Sequence, residues 1–134
     1  MKYITGIHAL NLECSLETCG DWHTSALKWK DLYIKESEDS IYKEWGIEER
    51  GNIPNHEGRW KVANHIRALL DLLEDGKYTV AQGMREDFIC NENYTPEVLD
   101  KVWMLRNKSN WKEVDEFMKK EYRLTWLEYK EGKE

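Results

Sequence analysis

The spacing of apolar residues changes once along the chain, near residue 54. Before that point they fall in short runs separated by polar turns, as strands and corners do. The run Tyr3-Ile4-Thr5-Gly6-Ile7-His8-Ala9-Leu10, β-branched at its start, reads as a strand. Leu32-Tyr33-Ile34-Lys35 and Ile41-Tyr42-Lys43-Glu44-Trp45 are two further strand candidates, split by the acidic turn Glu36-Ser37-Glu38-Asp39. Asp21 is placed to cap a short helix through Ala26, Leu27 and Trp29. Gly51-Asn52-Ile53-Pro54-Asn55 is the clearest break in the pattern.

Beyond the break the period becomes helical. Val62, Ala63, Ile66, Leu69, Leu70 and Leu73 share one arc at about 100° per residue, with Asn55 as a candidate N-cap and Gly76 as the stop. Thr95-Pro96 opens a second helix carrying Val98, Leu99, Val102, Trp103 and Leu105. Asn110 and Glu113 have capping-box spacing at the head of a third, with Trp111, Val114, Met118 and Tyr122 inward. Residues 124–129 suit a last short helix, and residues 130–134 a frayed tail. Neither half has enough apolar surface for a core of its own. The expectation is one α+β domain over residues 1–134, with short antiparallel strands in its N-terminal third and three to four helices in its C-terminal part.

Length agrees with this, since 134 residues is one ordinary domain. No apolar run approaches the roughly 18 residues of a membrane span, and the N-terminus lacks the pattern of a secretory signal, so a cytoplasmic protein is expected. The formal net charge is -6. Its longest basic run is Lys119-Lys120, which disfavours direct nucleic-acid binding and favours a protein partner with a basic surface. In a reducing cytosol Cys14, Cys19 and Cys90 read as free thiols, although Cys14 and Cys19 are close enough in sequence to close a small loop. The oligomeric state is not legible.

Candidate chemistry concentrates in Cys14-Ser15-Leu16-Glu17-Thr18-Cys19-Gly20-Asp21-Trp22-His23-Thr24-Ser25. Four readings compete for it. His8, Cys14, Cys19 and His23 are acceptable zinc ligands, but Cys14-x4-Cys19 misses the usual knuckle, so no cofactor is expected and zinc is the alternative. Cys19, Asp21 and His23 share one face of an extended chain and could act as nucleophile, acid and base, with His65 or His56 as other sources of the base. A structural corner would have Asp21 capping a helix, Gly20 in a special backbone conformation and Trp22 packed inward. A binding loop would present Gly20, Asp21, Trp22 and His23 to a partner.

Trp60 adds a second candidate surface. On a helix beginning near Glu57 it would project with Asn64, Arg67 and Asp71, forming a polar ridge opposite Ile66 and Leu69; otherwise it folds under the preceding loop. His65 lies at the edge of the apolar arc, where a satisfied core-edge role is the simpler reading. Residues 84–93 lack the regular oxygen-ligand pattern of a calcium loop and read as an ordered connection. No phosphate-binding glycine loop, H-E-x-x-H or G-x-S-x-G occurs.

The segments Thr5-Gly6-Ile7-His8-Ala9-Leu10-Asn11, Cys14-Ser15-Leu16 and Cys19-Gly20-Asp21-Trp22-His23 resemble those of a small bacterial family. Asn64-His65-Ile66-Arg67 and Glu121-Tyr122-Arg123-Leu124-Thr125-Trp126-Leu127 are similar too, so the resemblance spans nearly the whole chain. It implies an association with mobile elements and with toxin-antitoxin or phage-defence loci, and transfers no catalytic residue. The leading expectation is therefore a non-enzymatic binding or regulatory protein, such as an antitoxin or a defence or counter-defence component. It would use the loop from Gly20 to His23 beside Trp60, Asn64, Arg67 and Asp71. The rival is a small enzyme acting on a nucleotide or nucleic acid through Asp21 and His23 or through Cys19, with Arg67 holding an anion.

Overall fold

In the computed structural model, which describes residues 1–21 and 23–133, the chain builds a small sheet first and its helices afterwards. The elements in order are β1 (Lys2–Ile4), α1 (Gly6–Leu10), β2 (Ile34–Glu36), β3 (Ile47–Arg50), β4 (Trp60–Ala63), α2 (His65–Glu74), α3 (Tyr78–Ala81), α4 (Thr95–Trp103), α5 (Trp111–Tyr122) and α6 (Leu124–Glu131). A single π-turn, Met84–Phe88, links α3 to α4.

The expected α+β class is present, and the sheet is mixed rather than antiparallel throughout. Its order is β2-β1-β4-β3. β1 pairs antiparallel with β2 through Tyr3 and Lys35, β3 pairs antiparallel with β4, and β1 lies parallel to β4 through Ile4 and Val62. The parallel pairing follows from the long crossover between β1 and β4, which a two-residue hairpin could not provide.

Two strand expectations are corrected. The strand reading of residues 3–10 fails after Ile4, because Gly6 takes a φ of 58° and starts α1. A side chain there would meet the Tyr33 ring, with a Cβ 2.9 Å from its Cδ2. Residues 41–45 form turns that place Tyr42 in the core. The helix read from Asn55 begins nine residues later. Trp60–Ala63 are strand, and Asn64 is the true cap, its Oδ1 accepting the Arg67 N–H at 2.8 Å.

α2 is the centre of the molecule, and every residue from His65 to Leu73 is buried. Five of these are Ile66, Leu69, Leu70, Leu72 and Leu73. At about 1.5–3 kcal/mol each, their burial supplies on the order of 10 kcal/mol of gross stabilisation. Gly76 follows the helix with a φ of 76°, the left-handed stop its position suggested. Thr95-Pro96 does open α4. Asn110 heads α5 without forming the capping box. Its Nδ2 instead donates to Leu73 O at 3.0 Å and Tyr78 Oη at 2.7 Å, which ties α5 to α2.

α6 runs to Glu131, beyond the expected fray point, because Lys130 pairs with Asp115 at 2.7 Å. Trp126 is fully buried and donates from Nε1 to the same carboxylate at 2.8 Å. One hydrophobic cluster includes residues from the sheet and from the helices of both halves, as expected of a shared core.

Candidate functional site

The N-terminal corner is fastened to the rest of the chain by a covalent bond, where the sequence suggests free thiols. Cys19 and Cys90 form a disulfide with a Cα–Cα distance of 6.2 Å. The π-turn brings Cys90 alongside, and the Cys19 and Gly20 N–H groups both donate to Phe88 O at 3.1 Å. Cys19 is therefore not a free nucleophile, and only Cys14 remains as a thiol.

Gly20 is buried and takes a φ of 66°. A Cβ there would stand 2.6 Å from Leu10 O and 2.7 Å from His65 Cε1. Glycine is needed so that the chain can pass against His65, and not to admit a partner. Asp21 N–H donates to Leu10 O at 2.8 Å, completing the corner. Asp21 accepts a 2.7 Å hydrogen bond from His23 Nδ1, and the His23 side chain is 80% exposed. The helix expected after Asp21 reduces to one 3-10 turn, Thr24–Ala26, which has no side-chain cap. Trp22 lies outside the described residues.

His65 organises the inner side of this corner. Its Nε2 faces Leu12 O at 2.7 Å. A carbonyl oxygen only accepts, so Nε2 carries the proton and Nδ1 presents a lone pair. Thr18 Oγ1 lies 2.6 Å from that Nδ1 and donates to it. Cys14 Sγ is 3.6 Å from the same hydroxyl, which is left to accept from the thiol. A proton path thus leads from Cys14 through Thr18 to His65. Burial pushes the Cys14 thiol up, and the imidazole more than offsets this, bringing it down to about 7. Burial likewise opposes charge on His65, and the facing sulfur outweighs it, so that the imidazole pKa is raised. From the sequence His65 reads as a core-edge residue and a possible base; its pairing with Cys14, 51 positions away, leaves no local signal.

The other histidines are engaged. His8 accepts the Tyr33 N–H at Nδ1 and donates from Nε2 to Lys28 O, both at 3.1 Å. His56 donates to Trp29 O at 2.7 Å. Of the four zinc candidates, His8 has both nitrogens occupied and Cys19 is disulfide-bonded, while Cys14 belongs to the His65 path and His23 to Asp21. Among the described residues no group of three or more His, Cys, Asp or Glu is arranged to hold a metal ion.

The ridge of Trp60, Asn64, Arg67 and Asp71 is corrected outright. Trp60 belongs to β4, and its Nε1 donates to Glu57 O at 3.1 Å, so it folds under the preceding loop. Asn64 is the buried cap of α2. Arg67 and Asp71 are both 0% exposed and form an ion pair at 2.9 Å. Asp71 also accepts from Tyr3 Oη and Thr5 Oγ1 at 2.7 Å each. Arg67 reaches Tyr3 Oη and Trp45 O with its remaining fork and lies over the Tyr3 and Tyr42 rings. Burial raises the Asp71 pKa, against the pull of Arg67, Thr5 and Tyr3. These residues hold the sheet on α2 and cannot grip an external anion.

Two open cavities flank residues 11–13. One, of about 440 Å³, is walled by Cys14, Thr18, Cys19, Asp21 and His65. The other, of about 880 Å³, lies beneath the loop joining β3 and β4, and both share Asn11, Leu12 and Glu13. Together their walls carry the carboxylates of Glu13, Asp21, Glu49 and Glu57 against the guanidiniums of Arg50 and Arg59. Arg59 is paired with Glu49 at 2.9 Å, and Arg50 with Glu48, just outside the wall, at 2.9 Å. Glu13 and Glu57 are exposed and, among the described residues, carry no ion pair. The cleft is acidic after its internal pairs are counted.

Compared with protein-family models, curated proteins and solved structures, the chain shows no match. No helix among the described residues is long and apolar enough to cross a membrane.

Proposed function

We propose that this chain is a small binding or regulatory protein that receives a basic segment of a protein partner in the acidic double cleft beside its N-terminal corner. The carrying observation is the excess of carboxylate on the joined walls, with Glu13 at the junction and Glu57 exposed at the rim. An open, polar cleft of this kind steers a cationic partner and fixes its register. Asp21 lines the same cleft, and the exposed His23 that it holds belongs to the interface. The overall charge of -6 acts in the same direction at longer range. An antitoxin or a phage-defence component would use such a surface, and the sequence resemblance supports that role. A cytoplasmic setting goes with it, where the Cys19–Cys90 bond would be exposed to a reducing thiol pool.

The test is binding of a fluorescent arginine-rich peptide, read by anisotropy at low salt. Replacing Glu13 and Glu57 by lysine should weaken it at least tenfold. The same charge change at Glu128 and Glu131 on α6 should weaken it less than threefold. Equal weakening by both pairs would reduce the effect to net charge and remove the cleft from the argument.

One observation favours a second reading. The Asp21 carboxylate orients the exposed His23 imidazole as a general base is oriented. An acid–base enzyme acting on a nucleotide would lose all turnover in Asp21→Ala and His23→Ala while the peptide still bound. Turnover surviving both substitutions would end that reading.

A further inference from the structure

A free thiol and an accessible disulfide share one cavity. Cys14 and Cys19 both line the 440 Å³ space that His65 closes on its inner side. Thr18, whose hydroxyl lies 3.6 Å from Cys14 Sγ, is the chain neighbour of Cys19. Cys19 and Cys90 are both exposed, and exposed disulfides are the ones open to exchange. The Cys14 proton has a way out through the Thr18 hydroxyl to His65 Nδ1. Glu48 on β3 adds negative charge near the imidazole, and Glu13 and Asp21 stand on the cavity wall. The shared wall and the proton path suit Cys14 for attack on Cys19; the carboxylates oppose a thiolate by charge, and the His65 imidazole offsets them.

We propose that this cavity is an internal thiol–disulfide exchange centre, in which Cys14 attacks Cys19 and releases Cys90. The Cys14–Cys19 bond forms as the Cys19–Cys90 bond breaks. The electron pair leaves on Cys90 Sγ, and the proton that passed from Cys14 to His65 returns through solvent to the Cys90 thiolate. Nothing is oxidised or reduced overall, so no external oxidant is required. The exchange replaces a tie across 71 residues by a loop inside the N-terminal corner. The two N–H bonds to Phe88 O then remain as the hydrogen-bonded tie of residues 19–20 to the π-turn. The corner carrying Asp21 and His23 is thereby loosened, which gives the binding face a redox-free covalent control. This inference does not rest on the identity of the partner.

Disulfide mapping tests it on the unaltered protein. After a day at pH 8 without reductant, the sample is acid-quenched, denatured and alkylated, and its cysteine peptides are assigned by mass spectrometry. The isomer with Cys14 joined to Cys19 and the label on Cys90 is expected. With a Cys14 pKa of about 7, its rate of appearance should fall about a hundredfold at pH 5. Cys90→Ser, checked for folding by circular dichroism and treated with oxidised glutathione, should close Cys14 to Cys19. Cys90→Ser with Cys14→Ser should stop at a glutathione adduct on Cys19. Label confined to Cys14 in every wild-type sample would overturn the proposal. So would a folded Cys90→Ser protein that retains the adduct and never forms the Cys14–Cys19 bond.

Discussion

Replacing Arg67 by methionine separates a structural ion pair from a surface ridge. The substitution keeps most of the side-chain volume and removes the charge. It deletes the 2.9 Å bond to Asp71, the 2.8 Å bond to Tyr3 Oη and the contact with Trp45 O. Asp71 is then left at 0% exposure with donors from Tyr3 and Thr5, its paired counter-charge gone and Lys35 acting only from a distance. Breaking one side of a buried pair costs about 3–5 kcal/mol. For a chain of this size each kcal/mol moves the midpoint by roughly 3–5 °C, so Tm should fall by about 10–25 °C. Urea titration at low temperature, followed by circular dichroism, gives the free energy directly. Asp71→Asn should cost a similar amount alone. The Arg67→Met, Asp71→Asn double variant should be less destabilised than the two single variants added together, with a coupling of about 2 kcal/mol. A loss below about 1 kcal/mol for Arg67→Met, or strict additivity in the cycle, would refute the buried-pair account.

Three further outcomes follow from the same geometry. Gly20→Ala should destabilise the fold and disturb the Cys14 thiol together, because its Cβ meets both Leu10 O and His65; stability by urea and iodoacetamide reaction rate at Cys14 report the two effects. Reducing the Cys19–Cys90 bond, which closes 71 residues, should lower stability by roughly 4 kcal/mol, and a dithiothreitol-independent Tm would contradict a structural role. In acid, Glu74 should contribute to unfolding. Burial raises its pKa, but Ser40, the Ile41 N–H, Lys35 and Lys108 more than offset this and lower it. A depressed folded pKa gives stability that is present above the unfolded value of about 4.3 and lost as pH falls through the folded one. Glu74→Gln should therefore flatten the stability profile below about pH 4, and an unchanged profile would remove Glu74 from the acid transition.

The leucine arc of α2 was legible because its positions repeat at the helical period whatever the neighbours do. Its start was not, because Asn55 and Asn64 are equally good caps in a string of letters. Only the β3 pairing of residues 60–63 selects the second. Arg67 and Asp71 are spaced i, i+4, as an exposed helical pair would be. Their burial depends on Tyr3 and Trp45, supplied from distant parts of the chain. The N-terminal corner keeps the thiols, acid and imidazole that the sequence concentrates there, but their pairings differ from those the spacing suggests. Cys19, a nucleophile only in the enzyme reading, is tied to Cys90, while Cys14 gains the imidazole of His65 through Thr18. Both changes are tertiary contacts across more than 40 positions, which no spacing rule registers. Asp21 and His23 were read from their alternation, and they do meet.

The acidic double cleft is the central claim, and amide chemical-shift mapping tests it most directly. Isotope-labelled protein titrated with an arginine-rich peptide should show its largest shifts at residues 11–13, at Asp21 and His23, and across residues 49–59. Shifts strongest along α5 and α6, with the cleft residues unmoved at saturation, would place the binding face elsewhere and contradict the account.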